Sequence, residues 1–105
     1  MYIRIVTFRL QGMNPDDYEQ MAERLAVAFR QWPGLTAKLW LADRETSTFG
    51  GVYVFESRAA ADLSRSTPLF AGMTDHPGFT QLVVTEFATL TAPTLVTGSV
   101  LASAS

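Results

Sequence analysis

Four runs rich in β-branched and aromatic residues lie near 2–10, 35–43, 49–56 and 80–90. They are separated in turn by a helical stretch, a short polar turn and a second helical stretch. The order β-α-β-β-α-β constrains the chain more than any single residue does. It predicts an α+β protomer of ferredoxin-like type, with an antiparallel four-stranded sheet in spatial order 4-1-3-2 and both helices on one face. The 105 residues suit one domain. From about 94 onward they read as a C-terminal tail, with a short strand expected near 94–100 and fraying over the last five residues.

Local signals support each element. Asn14 is placed to cap the first helix, Pro15 fits its first position, and Asp16 and Asp17 suit its positive end. Tyr18, Met21, Ala22, Leu25, Ala28, Phe29 and Trp32 then form one apolar stripe, closed by Pro33 and Gly34. Ser57 is the expected cap of the second helix. Pro68 interrupts that helix, leaving one or two more turns before "HPGF" at 76–79. Arg4 and Glu86 lie on strands expected to be neighbours and are read as a structural cross-strand pair.

The strands are apolar on both faces. Ile3 and Ile5 oppose Tyr2, Val6, Phe8 and Leu10; Tyr53 and Phe55 oppose Val52 and Val54; Leu82 and Val84 oppose Val83 and Phe87. Two helices cover only one face, and the other would expose more than the few hundred Å2 that soluble monomers usually tolerate. The pattern predicts a homodimer formed sheet to sheet. The alternative is a tail that folds back over the second face.

Composition excludes several function classes. The net charge is −2 and the eight basic residues are scattered, so neither nucleic acid nor a membrane surface is an expected partner. Without cysteine there is no thiolate nucleophile, disulfide or iron–sulfur ligand, which fits a cytoplasmic protein. The first residues lack the pattern of a signal peptide, and no apolar run reaches the roughly 20 residues a membrane helix needs. No phosphate loop, dinucleotide fingerprint, "GxSxG" or "HExxH" occurs, so no bound cofactor or metal is expected.

Candidate chemistry centres on a few residues. His76 is the sole histidine and is read as a general base or substrate contact, as a ligand to haem iron, or as a cap at a helix end. Trp40, Tyr53 and Phe55, with Phe49, gather aromatic rings on one hairpin, either as core or as walls for a flat aromatic substrate. In the second reading Trp40 stacks and Tyr53 donates to a phenolate or peroxy oxygen. Lys38 shares a strand face with Trp40. It either reaches the sheet edge along its stem or stabilises an anionic substrate. Gly50 and Gly51 stand within a central strand, where glycine costs stability. If Ala42 pairs with Phe49, Gly51 lies opposite Trp40 and leaves room for the indole, with a bulge expected at Gly50.

The segments "PGLTAKLWLADRETSTFGGVYVFES", "PLF" at 68–70, and "HPGF" followed by "TEFATLTAPT" resemble the YdhR-type mono-oxygenases, over nearly the whole chain. That family is a branch of the dimeric α/β-barrel superfamily. The resemblance implies a ferredoxin-like protomer that dimerises through its sheet. It also implies oxidation of a small aromatic substrate, phenol or hydroquinone-like, without flavin or metal. On that reading His76 is the base, Tyr53 the oxygen-stabilising donor, and Trp40, Lys38 and Phe55 contact the substrate. The same superfamily holds isomerases, haem-degrading enzymes and small proteins without assigned roles. A cofactor-free isomerase or lyase, or a non-catalytic ligand-binding dimer, is therefore the alternative.

Overall fold

The computed structural model describes residues 1–98. Its elements run β1 (Tyr2–Leu10), α1 (Pro15–Phe29), β2 (Leu35–Asp43), β3 (Thr48–Phe55), α2 (Arg58–Ser64), α3 (Pro68–Thr74), β4 (Phe79–Ala88) and α4 (Thr91–Thr97). The four strands form one antiparallel sheet in the order β2-β3-β1-β4, as the sequence predicts. Among the described residues no helix is long and apolar enough to cross a membrane.

Helices α1, α2 and α3 begin where the sequence says they should. Asn14 Oδ1 accepts from the Asp17 N–H at 2.8 Å, and Pro15 occupies the first turn, where a missing N–H costs nothing. Ser57 and Thr67 cap α2 and α3 in the same way, through the N–H groups of Ala60 and Phe70. The tail departs from expectation. Residues 91–97 form α4 rather than a strand, with Pro93 in the first turn, where it interrupts no helical hydrogen bond. Leu90, Leu95 and Val96 remain exposed, so these residues are not packed over the sheet. The expected fraying at 101–105 lies outside the described residues.

The register divides the sheet into two faces. Val6, Phe8, Phe49, Tyr53 and Phe55 point toward the helices and form the core with Tyr18, Phe29, Trp32 and Ala61. The opposite face carries three apolar rows read across the strands: Leu39–Val52–Ile5–Thr85, Ala37–Val54–Ile3–Phe87 and Leu41–Gly50–Thr7–Val83. Val54 is buried, while Leu39, Val83 and Phe87 are each at least half exposed. The register shifts lie between Leu35 and Ala37 on β2 and opposite Thr7–Arg9 on β4, where Gln81 has a φ of 54°. The bulge expected at Gly50 is therefore absent. Pairing is continuous through Gly50, which faces Thr7 on one side and Leu41 on the other.

Arg4 ties β1 to β4 and α2. It is fully buried, with Nε 2.6 Å from Glu86 Oε2, Nη1 donating to Ser64 Oγ at 2.9 Å and Nη2 donating to the Ala61 carbonyl at 2.8 Å. Arg65 also reaches Glu86, at 2.8 Å. Burial works to raise the Glu86 carboxyl, but hydrogen bonds from Arg4 and Arg65 outweigh it and hold the group below its ordinary range. The predicted cross-strand pair is present, and the buried guanidinium makes it a three-element clamp.

Candidate functional site

A cavity of about 300 Å3 opens between α1, α3 and the helix-covered face of the sheet. That is the small end of the range for ligand pockets. Its walls are largely apolar, contributed by Tyr18 and Phe29 of α1, Leu69 and Met73 of α3, and the rings of Phe8 and Phe79. Five lining side chains carry a polar atom: Tyr18, Lys38, Trp40, Tyr53 and His76.

The pairing of β2 with β3 builds one wall. Lys38 lies opposite Tyr53, and Trp40 lies opposite Gly51, which is the register expected from the sequence. The space above Gly51, however, is filled by the stem of Lys38 and not by the indole. A Cβ at Gly51 would sit 3.0 Å from Lys38 Cε and 3.4 Å from Tyr53 Cε1. Gly50 forms part of the cavity floor, and a side chain there would run into the Val6 carbonyl oxygen.

Lys38 does not reach for the sheet edge. Its Nζ lies 3.4 Å from the ring centroid of Phe29, 3.5 Å from that of Trp40 and 4.4 Å from that of Tyr53. Burial destabilises the ammonium and brings the lysine down to about 7, while the three ring faces act in the opposite sense. Tyr53 is buried, and its hydroxyl donates only to Met73 Sδ, at 3.4 Å, a weak acceptor. Burial, aided by Tyr18 and opposed by Arg4, pushes the Tyr53 phenol well above its ordinary value. Burial raises Tyr18 as well, to about 12. Both phenols therefore stay protonated at neutral pH.

His76 stands at the end of α3, where it serves the turn and lines the cavity at once. Its Nδ1 accepts the Gly78 N–H at 2.9 Å, so in the neutral ring Nε2 carries the hydrogen. The imidazole stacks on Phe79 at 4.3 Å, and Phe79 stacks on Phe8 at 3.9 Å. A Cβ at Gly78 would come within 3.0 Å of the imidazole, so glycine there lets the turn close.

Phe55 is the expected site residue that the structure places elsewhere. It is fully buried, with the Arg4 guanidinium 5.0 Å from its ring centroid and its ring 6.3 Å from those of Trp32 and Tyr53. It does not line the cavity, because it lies two positions beyond Tyr53 on the same strand face, one step further toward α2. Tyr18, Phe29 and Met73 do line it. The sequence marks Tyr18 and Phe29 only as part of a helical stripe, since a gap in packing leaves no trace in periodicity. Among the described residues no group of three metal-ligating side chains occurs.

Comparison with known proteins gives the same frame. The family model "Putative mono-oxygenase ydhR" matches residues 3–100. No curated protein matches the chain. Among solved structures, a "putative antibiotic biosynthesis monooxygenase" from Deinococcus radiodurans superposes with a TM-score of 0.73 at 21% identity, covering 88% of this chain and 95% of that one. SnoaB, a cofactor-independent oxygenase from Streptomyces nogalater, gives 0.68 at 21%, covering 88% and 96%. The haem degrader MhuD from Mycobacterium tuberculosis, solved with two haems in its active site, gives 0.68 at 19%, covering 86% and 96%. At these identities the likeness is one of fold.

Proposed function

We propose, for a chain that belongs to the ydhR mono-oxygenase family, that the cavity binds a small phenol or hydroquinone-like aromatic and oxidises it with O2, without flavin or metal. The observation that carries this reading is the make-up of the cavity: flat aromatic walls, two protonated phenols and one buried amine around a space of about 300 Å3. Trp40 supplies the stacking wall. Tyr53 donates to the oxygen on which negative charge develops, and its weak thioether partner is readily exchanged for a substrate. His76 lines the same space.

The electrons come from the substrate. A phenol and O2 give a quinone and water, with one oxygen atom entering the ring and the other leaving as water. The similarity in fold to a cofactor-independent oxygenase supports this chemistry. Haem suits the site less well. With the Gly78 N–H on Nδ1, the Nε2 of His76 carries a hydrogen and offers no free lone pair to iron.

The active unit in this proposal is a cytoplasmic homodimer joined through the helix-free face of the sheet, where Leu39, Val83 and Phe87 are exposed. The test is oxygen consumption over a panel of phenols and hydroquinones. Tyr53→Phe should lower kcat by about 10²-fold, the usual cost of one oxyanion donor. Turnover of the same substrates under anaerobic conditions would contradict the proposal and favour an isomerase or lyase.

A further inference from the structure

Among the described residues the cavity holds one amine, Lys38, and no carboxylate to neutralise its ammonium: no aspartate or glutamate lines it. The ion pairs among the described residues involve Arg4, Arg44, Arg58 and Arg65, never Lys38. The buried Arg4, by contrast, has Glu86 within 2.6 Å. The Lys38 stem crosses Gly51, and its head is packed among three ring faces that favour the ammonium over the amine without supplying a counter-charge.

The other titratable groups around Lys38 do not compete for the role of proton acceptor. On β3, Tyr53 is held protonated by burial, and so is Tyr18 on α1. Arg30, just beyond α1, lines a groove on the other side of Lys38, and Arg4 lies beyond the Tyr53 ring; both are cations. His76 has Nδ1 occupied by the Gly78 N–H.

We infer that Lys38 is both the proton acceptor and the counter-ion of this site, taking the hydroxyl proton of a phenol and holding the resulting phenolate against its ammonium. The O–H bond breaks, an N–H bond forms, and a neutral pair becomes an ion pair with no change of oxidation state. This deepens the reading of the cavity as a phenol site and rests on it. It also defines the ligand, which has one acidic hydroxyl and no second negative charge, since Lys38 is the one unpaired amine among the described residues that line the cavity.

The complex carries one proton shared between ligand and lysine. Affinity therefore peaks between their two pKa values and falls on both sides. On the alkaline side it falls because neither partner then carries the shared proton: Lys38, brought down by burial to about 7, is an uncharged amine facing a phenolate.

The test is equilibrium binding of 4-nitrophenol, whose absorbance reports its ionisation, to folded protein across pH. About one unit below its own pKa, about one-tenth of the free dye is ionised. Dye bound to the native protein at that pH should be phenolate, with affinity that falls again at alkaline pH. Lys38→Arg should keep the bound phenolate but lose the alkaline fall, because arginine stays charged. Lys38→Met should bind at least tenfold more weakly and hold only neutral phenol. Dye bound to the native protein as neutral phenol, or bound equally well as phenolate by Lys38→Met, would overturn the inference and leave the cavity a phenol site. No saturable binding of the dye by the folded native protein would overturn both.

Discussion

At the scale of single residues, Lys38 and Gly51 explain each other. A strand glycine costs stability, and here the vacated space houses the stem of a lysine folded inward over the sheet. The lysine itself is costly. It titrates near 10.5 in a free chain and near 7 in the fold, so the unfolded chain binds more protons between those values. The cost is fully present below about pH 7 and is relieved as pH rises toward 10.5. Lys38→Met should therefore melt higher than the native protein at pH 6, with the difference narrowing as pH rises to 10. Thermal scans at several pH values check this, and parallel curves would contradict it. Gly50→Ala should be more damaging than Gly51→Ala, because its side chain would meet a backbone carbonyl and not a flexible stem. The sequence revealed the pairing of Trp40 with Gly51 and the face that Lys38 occupies. It did not reveal where the amine points, because that depends on Phe29, which a separate helix brings across the strand.

At the scale of elements, helix caps and strand boundaries were legible because they depend on local chemistry. Asn14→Ala should cost about 1 kcal/mol, read as a lower denaturation midpoint with an unchanged slope. The tail was misread because its valines and threonines favour strands, yet Pro93 lies early enough in the segment for a helix to begin around it. The Arg4–Glu86 pair was legible from register, but its burial was not, since that depends on α2 closing over it with Ser64 and Ala61. Removing the carboxylate would leave a buried guanidinium short of its charged partner. Glu86→Gln should cost about 3 kcal/mol at neutral pH. Glu86 is depressed in the fold, so the stability it supplies is present above its unfolded pKa and disappears as pH falls through the folded one. The native protein and Glu86→Gln should thus converge in stability under acid conditions.

At the scale of the whole molecule, the two faces of the sheet have different tasks. One face and its helices enclose the cavity. The other carries apolar rows ending in exposed Leu39, Val83 and Phe87, and the described part of the tail does not cover them. Phe87→Asp should convert a dimer to a monomer in sedimentation without emptying the core, because Phe87 is more than half exposed in the protomer. A native mass equal to one chain at micromolar concentration would contradict the dimer. The arrangement of the face was legible from alternation alone, whereas the cavity was not, because alternation records which side a residue takes and not how completely that side is filled. The chemistry assigned to the cavity is tested most directly by turnover of a phenolic substrate under 18O2, with the protein stripped of flavin and treated with chelator. One labelled oxygen atom in each product molecule, with O2 consumed in equal number, is the predicted result. No consumption of oxygen across a broad panel of phenols by folded protein, or a product that takes its oxygen from water, would contradict it.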